Sequence, residues 1–384
     1  MDGYHYMKYL LQILHCAVED SVPELSLGKQ DWGMLRILAR YHKVDAMLYP
    51  ALKKIREQID NEIFEKIKED YDLATVIFMN QEYYLKQISR ILNDEGIWYM
   101  PLKGSVLRYL YPYPEMRQSA DIDILFDCEY ADKVKKLLCG IGFVNKKFGS
   151  DQDVYIIEPY VCVEMHRSLL PERSKQYEFV KEIVERKVCV DNSFEYRMSN
   201  EDFYIFHIIH AAKHMSEGGI GIRAFLDLWI LLNRFGDSMD RDIIDKRLDE
   251  ANLKLFEENI RKLTSYWFNN GEKNEYTDEI EAYVFNSGWT GTYKQKTALM
   301  SEDYVNENKI MYYFKYIFKS IDELKIAYKY LTKYPILLPI AWGDRIFKAL
   351  FKRKGAINEF VHRYDGIDEN DIKRLKDFAA RIGL

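Results

Sequence analysis

The sequence predicts an α+β protein: a small mixed sheet in the middle of the chain, with helical regions before and after it. Three observations carry this expectation. Apolar residues recur at helical intervals up to about residue 94, then alternate or form short runs between residues 97 and 170, and return to helical intervals from about residue 201. The expected division is an N-terminal helical region 1–94, an α/β core 95–198 and a C-terminal helical region 199–384.

The elements follow in order. In Asp31-Trp32-Gly33-Met34-Leu35, the aspartate is placed to cap a helix, and a long helical pattern runs over residues 61–94. The runs IWYMPL, DIDILF, GFVNKKF, DVYIIE and VCVEM read as strands, with an amphipathic helix over residues 130–141 that stops at Gly140 or Gly142. Ser199-Asn200-Glu201-Asp202 opens the next helix with an acidic first turn. Residues 270–308 are polar and loosely patterned and read as a long excursion.

Composition sets the outer bounds. The chain has 384 residues, 48% hydrophobic and 30% charged, enough for a sizeable core and unlike a disordered chain. A net charge of −6 argues against nucleic-acid binding driven by the whole surface. Five cysteines without a Cys-x-x-Cys spacing fit a reduced, cytoplasmic setting without a cysteine-type zinc site. Residues 1–16 have no basic segment before an apolar core, so no signal peptide is expected. No run approaches the roughly twenty apolar residues of a membrane span.

The chemistry concentrates in residues 102–126, LKGSVLRYLYPYPEMRQSADIDILF. On a strand, Asp121 and Asp123 point one way while Ile122, Ile124 and Phe126 point the other. Two carboxylates on one face of a buried strand repel each other unless a cation lies between them. A divalent metal is the simplest such cation, and hard oxygen ligands suit magnesium. Upstream, Gly104-Ser105 opens a helix and offers backbone N–H groups and a hydroxyl to phosphate. Either feature alone has a plainer explanation, a solvated strand-end carboxylate or an N-capped turn. Asp127, one β step past Leu125, reads as solvated at the strand exit.

Leu102-Lys103-Gly104, then Arg117-x-Ser119-x-Asp121-Ile122-Asp123-Ile124-Leu125, resembles the DNA polymerase β-like nucleotidyltransferase superfamily, and within it the bacterial uncharacterised nucleotidyltransferase family. The resemblance implies a nucleotidyltransferase core in the mixed sheet and a third acid on the strand beside the Asp-x-Asp strand. In residues 160–166 Glu164 shares a face with Tyr160, Cys162 and His166, and Val163-Glu164-Met165-His166 matches the family's context for that acid. Its plainer role is to pair with an arginine at a sheet edge. Asp153 and Glu158 compete less well. Arg167-Ser168 departs from the aromatic common after the family's histidine, which leaves the acceptor pocket open.

The resemblance further implies NMP transfer from an NTP to an acceptor hydroxyl by two-metal catalysis, with release of pyrophosphate. Asp121, Asp123 and Glu164 would hold Mg²⁺, or Mn²⁺ in its place, and Glu164 would help to deprotonate the acceptor. Gly104 and Ser105 would cradle phosphates, with Lys103 orienting the turn and Arg117 and Ser119 holding the loop or touching phosphate. The acceptor is left open between a small molecule, a protein and an RNA end. The implied alternative is an inactive nucleotide-sensing or protein-interaction module on the same fold.

His207, His210 and His214 share one helical face. Three readings stay open: a transition-metal site, a packed core face, or a face that closes over nucleotide with Lys213 neutralising triphosphate. The last is the family's, matched at His210, Lys213, His214, Arg223 and Asp227-Leu228. Arg223 and Asp227 also have the spacing of an ordinary i,i+4 ion pair. Near the C-terminus, a basic run over residues 345–354 reads as a solvated face or a contact for an anionic partner.

Overall fold

The computed structural model describes residues 3–24, 31–288, 321, 324, 328, 330–344 and 369–384. The chain divides into two compact units, one of Met1–His214, Ile220–Thr290 and Gly383, the other of Met215–Gly219, Gly291–Ile382 and Leu384. In the first, helices α1 (Gly3–Val18), α2 (Trp32–Tyr41), α3 (Leu48–Leu52) and α4 (Asn61–Asp94) precede strand β1 (Tyr99–Pro101). Asp31 caps α2 as expected, its carboxylate accepting from Met34 N at 2.9 Å. There follow α5 (Gly104–Leu107), β2 (Ile122–Phe126), α6 (Ala131–Gly140), β3 (Val144–Lys147), β4 (Gln152–Ile157) and β5 (Val161–His166). Then come α7 (Tyr177–Glu185), the short strands β6 (Val188–Cys189) and β7 (Tyr196–Arg197), and helices α8 (Asn200–Ser216), α9 (Ile222–Phe235), α10 (Arg241–Glu250), α11 (Lys254–Phe268) and α12 (Thr277–Ser287). The fold is α+β.

Five strands form one mixed sheet in the order β1-β2-β5-β4-β3. The β2–β5 pair is parallel and the other neighbours are antiparallel. One face of the sheet is dry: Ile122, Ile124, Phe126, Val161, Val163 and Met165 pack with Ile88 and Leu92 of α4 and Val134 and Leu138 of α6. Because side chains alternate along a strand, this packing turns Asp123, Glu164 and His166 to the other face.

The expected excursion over residues 270–308 is in part a helix. Residues 277–287 form α12, with Ile280, Tyr283 and Val284 buried at helical spacing. Its polar appearance comes from Glu281, fully buried, which accepts from Tyr4 and Lys8 of α1 and, at 2.7 Å, from Trp267 Nε1 of α11. Residues 289–308 lie outside the described residues. In the second unit Leu324, Leu331 and Ala341 form a small buried cluster. The basic run 345–354 lies outside the described residues. No helix among the described residues is long and apolar enough to cross a membrane.

Candidate active site

The parallel register places Asp123 directly beside Glu164, and Leu125 beside His166. Asp123 is 3% exposed, and its Oδ1 receives two contacts of 2.7 Å, from Lys103 Nζ and from His166 Nε2. His166 Nε2 is also 3.6 Å from Glu164 Oε2. Ligand-capable atoms of Asp123, Glu164 and His166 all lie within 4.8 Å of one another, the one such group of three His, Cys, Asp or Glu among the described residues. Asp121 precedes β2 by one residue and stands outside this set, with Ser119 Oγ 3.5 Å from its Oδ1.

The electrostatics follow from crowding. Burial, then Asp123 and Glu164, push the Asp121 carboxyl up to about 6. Burial also works against the Asp123 carboxylate, but the Lys103 ammonium and His166 hold it well below the ordinary carboxylate range. Lys103, despite burial, is held above its usual value by Asp123, Asp121 and Glu164. A lysine thus stands among the acids, on a backbone of φ 44° and ψ −117°. That conformation normally belongs to glycine and costs a residue with a Cβ about 1–3 kcal/mol.

The Gly-Ser turn is built differently from the expectation of an open phosphate cradle. A Cβ on Gly104 would meet Arg117 Nη1 and Ser119 Oγ at 2.6 Å each, so glycine is needed for the 117–119 loop to close down on it. Arg117 is tied to α9: its Nε and Nη2 donate to the Asp227 carboxylate at 3.2 and 2.8 Å, and Tyr111 donates to the same group at 2.8 Å. Asp227 is therefore engaged by Arg117, while Arg223, the partner suggested by i,i+4 spacing, donates to Gln118 O at 2.8 Å. Arg108 donates to Gly104 O and to Gln81 Oε1 of α4, both at 2.9 Å, and Gln81 Nε2 donates to Ser119 O at 3.1 Å. Ser105, 4% exposed, has a hydroxyl without a hydrogen-bond partner. It lies in the wall of a cavity of about 600 Å³ lined also by Met100, Tyr109 and Phe203.

The remaining candidates separate. Asp153 is fully buried on the dry face, paired with Arg167 at 3.0 Å, and Glu158 is exposed in the β4–β5 turn. Asp127 is half-buried and accepts from Glu129 N, closing the turn before α6. His207 Nε2 contacts Ala224 O at 3.0 Å, whereas His210 and His214 face each other with their Nε2 atoms 3.1 Å apart. Burial lowers the pKa of His207, and burial followed by His214 and Lys103 lowers that of His210 well below the ordinary histidine value. The histidine face does not converge as a three-ligand set. Lys213 is half-buried beside it. Of the central residues, His166 has no role that the sequence alone specifies, although β alternation places it on Glu164's face.

The model of the uncharacterised nucleotidyltransferase family matches residues 28–269, more than half of the chain. The chain belongs to this family. The matched residues hold the whole sheet, both Asp-x-Asp carboxylates, Glu164, His166 and Lys213. Membership supports nucleotidyl transfer as the class of chemistry for this nucleotidyltransferase-family protein. Neither the curated proteins nor the solved structures gave a match.

Proposed function

We propose that the chain transfers an NMP group from an NTP to an acceptor hydroxyl and releases pyrophosphate. The observation that carries this is the Asp123–Glu164 pairing across β2 and β5, on the polar face of a family-matched sheet. The residues fit a divalent ion: carboxylates are hard donors, and Asp121 stands among like charges, Asp123 and Glu164, whose repulsion a bound cation relieves. In this reading Asp121, Asp123 and Glu164 hold Mg²⁺ or Mn²⁺, with His166 fixing the Asp123 carboxylate. The ion, when bound, supplies Lewis-acid stabilisation of phosphoryl oxygens.

The chain's own residues do the rest. Lys103 is the cation nearest the acids and meets the negative charge of the triphosphate. Glu164, more exposed than Asp123, takes the acceptor's proton. Gly104 with Arg117 and Ser119 holds the loop that delivers Asp121. Ser105 contributes its hydroxyl through the turn, and Lys213 adds charge from α8. Such positioning and charge stabilisation is most of what phosphoryl transfer requires.

A second reading, an inactive nucleotide-sensing or interaction module, has one observation in its favour: Lys103 already neutralises Asp123 at 2.7 Å. The test is incubation of the full chain with labelled NTPs, Mg²⁺ and cell extract. Label transferred to a protein, RNA or small-molecule fraction, lost with EDTA and in Asp123→Asn, supports the enzyme. NTP binding without any transfer of label favours the sensor.

A further inference from the structure

We propose that the chain binds a phosphate-type oxyanion in a separate, arginine-walled cavity that none of the three metal-site carboxylates lines. The cavity, about 190 Å³, lies between the middle of α4 and residues 115–120. Lys43, Arg108, Arg117 and Arg223 bring cations to its wall, against one carboxylate, Glu115. Glu115 already accepts from Tyr71, and Arg117 is engaged by Asp227.

Arg108 is the deciding residue. It is 2% exposed, yet both of its hydrogen bonds go to neutral oxygens, Gly104 O and Gln81 Oε1. A buried guanidinium with no carboxylate partner is unfavourable unless an anion reaches it. Its situation shows in its acidity: burial and then Arg117 bring Arg108 down to about 10, and the same causes bring Arg223 to about 10. Guanidinium forks match the tetrahedral oxygens of phosphate better than they match a halide. Gln118, also in the wall, has a buried Oε1 without a partner, which can accept the O–H of hydrogen phosphate. The space suits one or two tetrahedral oxyanions and is too small for a whole nucleotide.

Two sources carry this chemistry: free phosphate or pyrophosphate, or the terminal phosphate of a nucleotide held at the neighbouring acids. Ser119 and Ala120 of the wall lead directly into Asp121, so the cavity wall is continuous with one of the acids. Only the second source rests on the nucleotidyl-transfer reading. Binding of the oxyanion does not.

The experiment is calorimetric titration of the full chain with inorganic phosphate and with pyrophosphate, in EDTA at constant ionic strength. Saturable binding is expected without divalent metal, weakened about tenfold or more in Arg108→Gln and Arg223→Gln. Asp123→Asn should retain it, which separates this site from any failure of the transfer reading. Competition by ATP but not AMP assigns the cavity to a nucleotide's terminal phosphate, and competition by neither assigns it to the free anion. Circular dichroism identifies which variants fold, and Arg108→Lys serves if neither glutamine variant does, with a loss of several-fold expected. Absence of saturable binding by the wild type, or unchanged affinity in the folded variants, overturns the proposal.

Discussion

Lys103 Nζ lies 2.7 Å from Asp123 Oδ1, and the lysine reaches it from φ 44° and ψ −117°. Glycine would occupy that backbone without strain, so the sequence retains a costly residue where its ammonium meets the acids. The pairing makes Lys103 the protein's internal answer to carboxylate repulsion.

Lys103→Gly removes the ammonium and the strain together, whereas Lys103→Ala removes only the ammonium. The glycine variant should be more stable than the alanine variant by about 1–2 kcal/mol. Both should fall below the wild type in EDTA, because Asp123 is left buried without its cation. Added Mg²⁺ should recover part of that loss. Urea unfolding with and without Mg²⁺ measures all three effects; equal stability of the two variants would refute the strain argument.

Asp121 gives a pH signature. Its folded pKa, about 6, lies above the unfolded value, which is about 3.9. The folded chain therefore binds the extra proton between those values, and the stability linked to Asp121 is lost as pH rises from about 4 to 6. Asp121→Asn should stabilise the metal-free protein by roughly 1–3 kcal/mol at pH 7. The gain should shrink towards pH 4 and vanish below about pH 3, where the carboxyl is protonated in both states. Thermal unfolding across this range in EDTA checks the sign, and transfer activity should be lost in the same variant.

Gly104→Ala should destabilise the fold by about 1–3 kcal/mol, since its Cβ meets Arg117 and Ser119 at 2.6 Å. Loss of thermal stability should accompany any loss of nucleotide binding. A variant that binds nucleotide weakly at full stability would restore the open-cradle expectation.

Asp227→Ala leaves the Arg117 guanidinium buried and unpaired, for a cost of about 3–5 kcal/mol. The double variant Arg117→Met with Asp227→Leu should recover much of it, because both charges are removed together. Chemical denaturation of the single and double variants decides; additive losses would mean the two side chains are not coupled.

Much of this was legible from the order of residues. Period-2 alternation around Asp121-Ile122-Asp123 and Val163-Glu164-Met165 fixes which side chains face the core, and the strands and dry face follow from it. The neighbouring position of Asp123 and Glu164 came from the family resemblance, because no local signal in the intervening residues specifies a parallel pairing. Reach was harder to read. Alternation puts His166 on the right face without showing that its ring touches Asp123. Arg117 and Asp227 are distant in sequence, so the local Arg223–Asp227 spacing suggested itself in place of the pair. The helix over residues 277–287 was obscured by Glu281, whose partners lie on α1 and α11.

The parallel register of β2 and β5 has a consequence for how the chain folds. The contacts of β5 with β4 are local and form across a short turn, but its contact with β2 closes a loop that contains α6, β3 and β4. Such non-local pairings come at a loop-closure entropy and tend to set the folding rate. Here the closing step also drives Glu164 against Asp123, so like charges oppose the very event that completes the sheet. Lys103, in the turn between β1 and α5, counters that repulsion before any ligand arrives, and raised magnesium should accelerate refolding as well as favour the final state.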